Sequence, residues 1–208
     1  EEVDMDQIRE KVLKRQDPRV NEKLKNAKVS ILGCGGLGSN IAMTLARSGI
    51  GELYLYDFDK VEYSNLNRQN YTIDELGGDK AELTKKKIET TLPYVKCHSK
   101  NIYLTTETMD TIVDKTDIFI EAFDNKESKT MLFDYFIGRD DKYLITGSGV
   151  SGLGELSDIK IKKIENVTMI GDFNSNPDEG LYLAYVSLIA NLEALSAIKF
   201  IQGDYYGK

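Results

Sequence analysis

The chain has 208 residues, a formal net charge of −7 at neutral pH, one histidine and two cysteines. A chain of this length buries about 70% of its unfolded surface, enough for one α/β domain over residues 1–208, and its acidic balance speaks against a nucleic-acid partner, whose phosphates need a basic face. Cys34 and Cys97 are too few for a disulfide framework and form no CxxC pair, so no zinc and a reducing, cytoplasmic setting are expected; no apolar run approaches the about 18 residues of a membrane span, so no membrane is expected either.

Residues 5–15 put Ile8, Val12 and Leu13 on one face of a predicted helix, while Arg9, Lys11, Lys14 and Arg15 make the rest basic. Asp17-Pro18 ends it, and residues 19–27 read as a short second helix, so that 1–27 form a helical arm. Residues 28–69 follow as a βαβ unit: KVSILG is a strand, GCGGLGSN a glycine turn, IAMTLARSGIG a helix with its stop, and ELYLYDFD a second strand leading into the polar loop KVEYSNLNRQ. Gly33 lets the chain leave the strand tightly, Gly35 and Gly36 let bare backbone amides approach a phosphate, and Gly38 lets the helix pack closely on the sheet. Asp57 stands 19 residues after Gly38, placed to accept hydrogen bonds from ribose hydroxyls.

Lys80 opens the next helix, AELTKKKIETTL, with Asp79 as its predicted N-cap and Pro93 as its end. A strand YVKCHSKNI, a helix ETMDTIVDK and a strand DIFIEAFD come next; the continuous apolar run of the last suits a sheet buried on both faces. Then KESKTMLFDYFIG reads as a helix and KYLITGSG as a strand ending in a second small-residue turn. Four strand ends, at Gly33, Asp57, Asp124 and Gly147, should therefore line one edge of a mainly parallel, Rossmann-like sheet spanning residues 28–150, the edge at which open α/β sheets bind ligands. Beyond residue 151, ELSDIKIKKI and NVTMIG read as an antiparallel addition. The final helix is apolar around most of its circumference, which implies deep burial, sharing with a second subunit, or both together in a homodimer.

A hydride-transfer enzyme would show a proton donor near the nicotinamide, yet the only histidine, His98, lies mid-strand and reads as structural. What gathers instead is charge: Asp57, Asp59, Arg68, Lys80 and Asp124 fall at or just past strand ends. That set suits a triphosphate with a divalent cation better than a nicotinamide ring. An NAD(P)-dependent oxidoreductase, on the same glycines, is the alternative, and a catalytically silent nucleotide scaffold is the third reading.

Taken in order, GCGGLG, DFDKVEYSNLNRQ, GDKAE and AFDN resemble the ThiF/MoeB/HesA superfamily, and most of all its short, zinc-free ThiF branch. The resemblance implies ATP-dependent adenylation of the C-terminal glycine of a ubiquitin-like sulfur carrier ending in Gly-Gly, the branch itself serving ThiS in thiamine thiazole synthesis; activation of a molybdopterin-type carrier would use the same chemistry. It implies that Asp57 holds the ribose, that Asn65, Arg68 and Lys80 hold the phosphates with Gln69 and Asp59 beside them, that Asp124 binds Mg²⁺, and that an arginine near the N-terminus, Arg15 or its rival Arg19, enters the site of the other subunit in a homodimer. The larger relatives' zinc-binding CxxC pairs and catalytic cysteine have no counterpart here, so Cys34 and Cys97 read as packing residues.

Overall fold

The computed structural model describes residues 4–203; the outermost residues of the expected 1–208 domain lie outside the described residues. Two short helices, α1 (Met5–Val12) and α2 (Pro18–Lys25), precede β1 (Lys28–Leu32). There follow α3 (Gly38–Ser48), β2 (Glu52–Asp57), α4 (Lys80–Thr91), β3 (Lys96–Asn101), α5 (Thr106–Asp110), β4 (Ile118–Glu121), α6 (Lys126–Phe136) and β5 (Tyr143–Gly147). The chain closes with β6 (Lys160–Ile164), β7 (Val167–Gly171) and the twenty-residue α7 (Leu183–Gln202).

Seven strands form one sheet in the order β3-β2-β1-β4-β5-β7-β6. The first five run parallel in register, Leu32 beside Tyr56 on one side and beside Glu121 on the other. Alternate side chains enter two cores, because successive residues of a strand point to opposite faces: Ile118 and Ile120 join α3, α4 and α7, whereas Phe119 joins Met109, Leu132 and Phe136 of α5 and α6. All four residues of β4 are buried, as the unbroken apolar run requires.

The expected antiparallel addition is only partly antiparallel. β7 runs parallel to β5, and β6 alone reverses, pairing Lys160 with Gly171 and Ile164 with Val167. All five residues of β6 are exposed; as the edge strand, with three lysines, it discourages pairing with another sheet. The predicted helix over ETMDTIVDK breaks after Asp110 into a 3₁₀ turn at Val113–Lys115. Met109, Ile112 and Val113, the i, i+3 and i+4 positions of the expected apolar face, are nevertheless all buried.

Two further expectations change. In α1 Arg9 is buried and Ile8 partly so, Leu13 is buried just past the helix, Val12 is half exposed, and Arg15 falls in the turn beyond. Arg9 is drawn inward because its guanidinium donates to the Gly49 carbonyl, the left-handed stop of α3, and lies 5.3 Å from the Tyr94 ring. α7 is long and apolar enough to cross a membrane by length and composition alone, contrary to the sequence reading. Its buried side, running from Tyr185 through Ile189 and Glu193 to Ala197, packs on α3, β5 and α2 as a core helix does.

Candidate nucleotide site

Successive strands are added outward in opposite directions from β1 and from β4, and the connections that follow these two strands cover opposite faces of the sheet. A crevice opens at such a switch point, outside the carboxyl ends of the strands. Here it is a cleft of about 560 Å³ lined by Gly33, Gly35 and Gly36 after β1, Asp57 and Asp59 at the end of β2, and Asp124 after β4. Larger depressions of about 830 and 970 Å³ lie against α1–α2 and beside α4, and neither includes a strand end.

The glycine turn is held by contacts that only glycine permits. A Cβ on Gly38 would lie 1.7 Å from the Gly33 carbonyl oxygen, and Gly33 itself has φ of 101°. Gly38 therefore stays out of the cleft wall and sets the closeness of helix to strand. No side chain caps α3, whose N-cap position is Leu37; the Ser39 amide donates to the Gly35 carbonyl at 3.0 Å, and the helix N-terminus, beside Gly35 and Gly36 of the cleft wall, favours an anion.

Asp57 is buried and fixed from two sides: Oδ2 accepts the Cys34 amide at 2.6 Å and Oδ1 the Asp59 amide at 2.7 Å. Burial pushes its carboxyl above the ordinary value, against the lowering effect of those two amides and of Lys80. Each oxygen retains a lone pair for a hydroxyl donor. The Cys34 thiol beneath is wholly buried and raised far above its usual range, first by burial and then by Asp57, which suits a packing residue and not a nucleophile.

Two cations face this anion-ready turn. Lys80 begins α4 with its side chain almost wholly buried, and among the described residues its one ion pair is a long 3.7 Å contact with the half-exposed Asp59. A buried ammonium so weakly paired is poised for a stronger anion. Arg68 lines the cleft with its guanidinium braced at 2.8 Å by the Ser64 carbonyl and at 2.9 Å by Asn67 Oδ1. Gln69 is buried beside Gly35, and its Oε1, an acceptor, has no partner among the described residues. Asp124 is exposed on the opposite wall.

The remaining expected residues lie elsewhere. Asn65 does not line the cleft: its Oδ1 accepts the Glu62 amide at 2.9 Å and closes a 3₁₀ turn that presents Arg68 and Gln69. Gly147 is also set back; Val150, past the turn after β5, lines the cleft in its place. Arg15 is exposed between α1 and α2 and touches no part of this cleft. Arg19 is engaged locally, Nη2 to Asp17 Oδ2 at 2.9 Å. Asp79 holds the N-cap position of α4 without capping it, since its carboxylate pairs with Lys60 at 3.1 Å.

Sequence reasoning missed two supports. The Tyr71 hydroxyl lies 2.6 Å from the Cys34 carbonyl, 3.2 Å from that of Lys80 and 3.0 Å from Thr84 Oγ1, tying the glycine turn to the start of α4. Leu181 and Val186 bring the C-terminal region to the cleft, a long-range placement with no local signature.

This geometry has counterparts. An adenylyltransferase and sulfurtransferase of Debaryomyces hansenii is 31% identical over 193 residues, covering 88% of this chain and 43% of the relative. A sulfur carrier protein adenylyltransferase of Thermus thermophilus is 33% identical over 127 residues, 61% of this chain and 47% of the relative. A molybdopterin-synthase adenylyltransferase of Haemophilus influenzae is 32% identical over 200 residues, 92% of this chain and 81% of the relative. The chain thus spans under half the length of the first two and about four fifths of the third. The E. coli tRNA N6-threonylcarbamoyladenosine dehydratase in complex with AMP shares the fold, with a TM-score of 0.83 at 20% identity over 93% of each chain. E. coli MccB with ATP superposes with a TM-score of 0.73 at 26% identity, over 89% of this chain and 58% of that one. A model described as the ThiF family matches residues 6–207, from α1 through the glycine turn and the cleft to the end of α7, and by that match the chain belongs to the ThiF family.

Proposed function

We propose that the chain adenylates the C-terminal glycine carboxylate of a ubiquitin-like sulfur carrier ending in Gly-Gly, with ATP as the nucleotide and pyrophosphate as the leaving group. The observation that carries this reading is the meeting, in one cleft, of an uncapped helix N-terminus, a buried lysine without a close anion, Arg68, and the carboxylates of Asp57 and Asp124. A C-terminal carboxylate, with a pKa near about 3.5, is ionised at neutral pH. It attacks the α-phosphorus unaided, so the absence of a histidine from the cleft is no obstacle. The barrier is repulsion between two anions, and Lys80 and Arg68 lower it by holding charge that develops on the departing pyrophosphate.

Asp57 holds the ribose, Gly35 and Gly36 receive phosphate on backbone amides, and Gln69 Oε1 accepts from a donor on the nucleotide or carrier tail. Mg²⁺ takes one or two carboxylates together with substrate phosphates, and Asp124 on the cleft wall fits that mode; among the described residues no three metal-ligating side chains gather to hold an ion alone. Bound there, the ion would neutralise phosphate charge.

Within this reading the carrier is of the ThiS type, the enzyme works as a cytoplasmic homodimer, and Arg15 completes the neighbour's cleft. The Haemophilus relative favours a second carrier, of the molybdopterin-synthase type. Carrier-dependent ATP–pyrophosphate exchange, run with a panel of carriers ending in Gly-Gly, tests the proposal and separates the two. Exchange with none of them, while NAD⁺ binds more tightly than ATP with Mg²⁺, would replace it with the oxidoreductase reading.

A further inference from the structure

Behind the wall that carries Asp124, four polar side chains are packed together, and none of them lines the cleft. Glu121, the last residue of β4, is 1% exposed. Its Oε1 accepts the Phe123 amide at 2.6 Å, which curls the chain out of the strand into the 122–124 turn. The Thr146 hydroxyl of β5 donates to Oε2. Lys129 of α6 reaches both carboxylate oxygens, at 3.2 and 3.1 Å, and the Gly147 carbonyl at 2.9 Å, so three acceptors match its three N–H groups. One ammonium therefore joins the turn after β4 to the turn after β5.

The fourth group is Glu193. It sits wholly buried on α7, neither oxygen hydrogen-bonded among the described residues, and Oε1 lies 3.4 Å from where a Cβ on Gly147 would stand. Glu121 and Lys129 already neutralise one another, so a charge on Glu193 would be uncompensated, and burial favours its neutral form.

With Glu121 buried and Lys129 partly exposed, such an ion pair is a poor means of gaining stability, because desolvation of the carboxylate cancels much of the attraction. What this one does provide is geometry: it fixes the relative position of the two turns that carry Asp124 and Val150 to the cleft. We propose that Glu121 and Lys129 are positioning residues, clamping the 122–124 turn against the 147–150 turn so that the wall bearing Asp124 is held at the right distance from the glycine turn. The catalytic half of this inference rests on the adenylation reading; the structural half does not.

The test uses variants that leave no unpaired buried charge. In Glu121→Gln/Lys129→Met both charges are removed, and in Glu121→Asp they are kept but the reach is shortened by one methylene. Amide hydrogen exchange is measured across residues 122–124 and 148–150, together with the thermal melt and the kcat and KM for ATP in pyrophosphate exchange. We expect a folded double variant whose amides in both turns exchange about tenfold faster, whose kcat falls about 100-fold and whose KM for ATP stays within about threefold. Lys129→Arg, which keeps the charge, should recover most of the kcat. Glu193→Gln should match the parent in the protection of both turns and in kcat. A folded double variant with unchanged protection in the two turns, or with kcat within about twofold of the parent, overturns the proposal. Should the double variant not fold, the same outcomes are read on Glu121→Asp. If the parent shows no exchange activity with any carrier, the adenylation reading falls, and amide protection alone still decides whether the pair clamps the turns.

Discussion

Asp124 and Glu193 show how differently two carboxylates of one chain are placed. Asp124 is exposed on the cleft wall and adds nothing to either core. Asp124→Ala should therefore lower pyrophosphate exchange by at least about 100-fold while changing unfolding free energy by less than about 0.5 kcal/mol; near-normal exchange with a normal melt would remove it from the site. Glu193 is the reverse case. Burial, opposed by Lys129 of α6 and assisted by Glu121 of β4, pushes its carboxyl well above the ordinary 4.5. Above that value the folded protein keeps a proton that the unfolded chain releases, so the stability linked to this proton is present below pH 4.5 and is lost as pH rises toward the folded value. Over that window the slope approaches about −1.4 kcal/mol per pH unit. Glu193→Gln removes it, and urea melts of the two proteins should diverge with rising pH, the variant being the more stable at neutral pH. Parallel profiles would mean that Glu193 is ionised in the fold.

At the scale of elements, the strand–turn–helix unit of β1 and α3 separates packing glycines from ligand glycines. An alanine at Gly38 would put its Cβ 1.7 Å from the Gly33 carbonyl oxygen and 2.7 Å from its carbon, and Gly33 is itself held to β2 by its amide, which donates to the Tyr56 carbonyl at 2.8 Å. Gly38→Ala should cost at least about 3 kcal/mol by denaturant unfolding. At Gly35 the nearest atom is Gln69 Nε2 at 3.6 Å, an ordinary contact. Gly35→Ala should therefore fold normally and lose ATP affinity, read by calorimetric titration. A loss of less than about 1 kcal/mol for Gly38→Ala would show that the helix can slide away from the strand.

For the whole molecule the open matter is the arginine supplied between subunits. Arg15 lies in the turn after α1, away from its own cleft, and Arg19 is held by Asp17. If Arg15 completes the neighbour's site in a homodimer, Arg15→Ala and Asp124→Ala should each be nearly inactive, whereas their mixed dimer has one site with both defects and one with neither. Random reassociation of equal amounts should restore about a quarter of parental activity. No recovery after demonstrated subunit exchange, with Arg19→Ala run in parallel, would leave α1 and α2 as packing helices only.

The sequence by itself determined the alternation of strands and helices, the glycine turn and the acid at the end of β2, because these are local: a strand period, a tight turn and a cap each depend on a few neighbouring residues. Four strand ends on one edge followed from that alternation, since right-handed parallel crossovers bring every strand out on the same side. Only the tertiary structure decided the rest. Arg9 reads as a surface cation in its own helix but is buried against Gly49, forty residues away. Asn65 belongs to a motif of site residues yet spends its side chain on a local turn. Val186 enters the cleft and Glu193 its buried support only because α7 crosses back over β5 and α3. Contacts of this range are chosen by how apolar faces pack together, which no local pattern encodes.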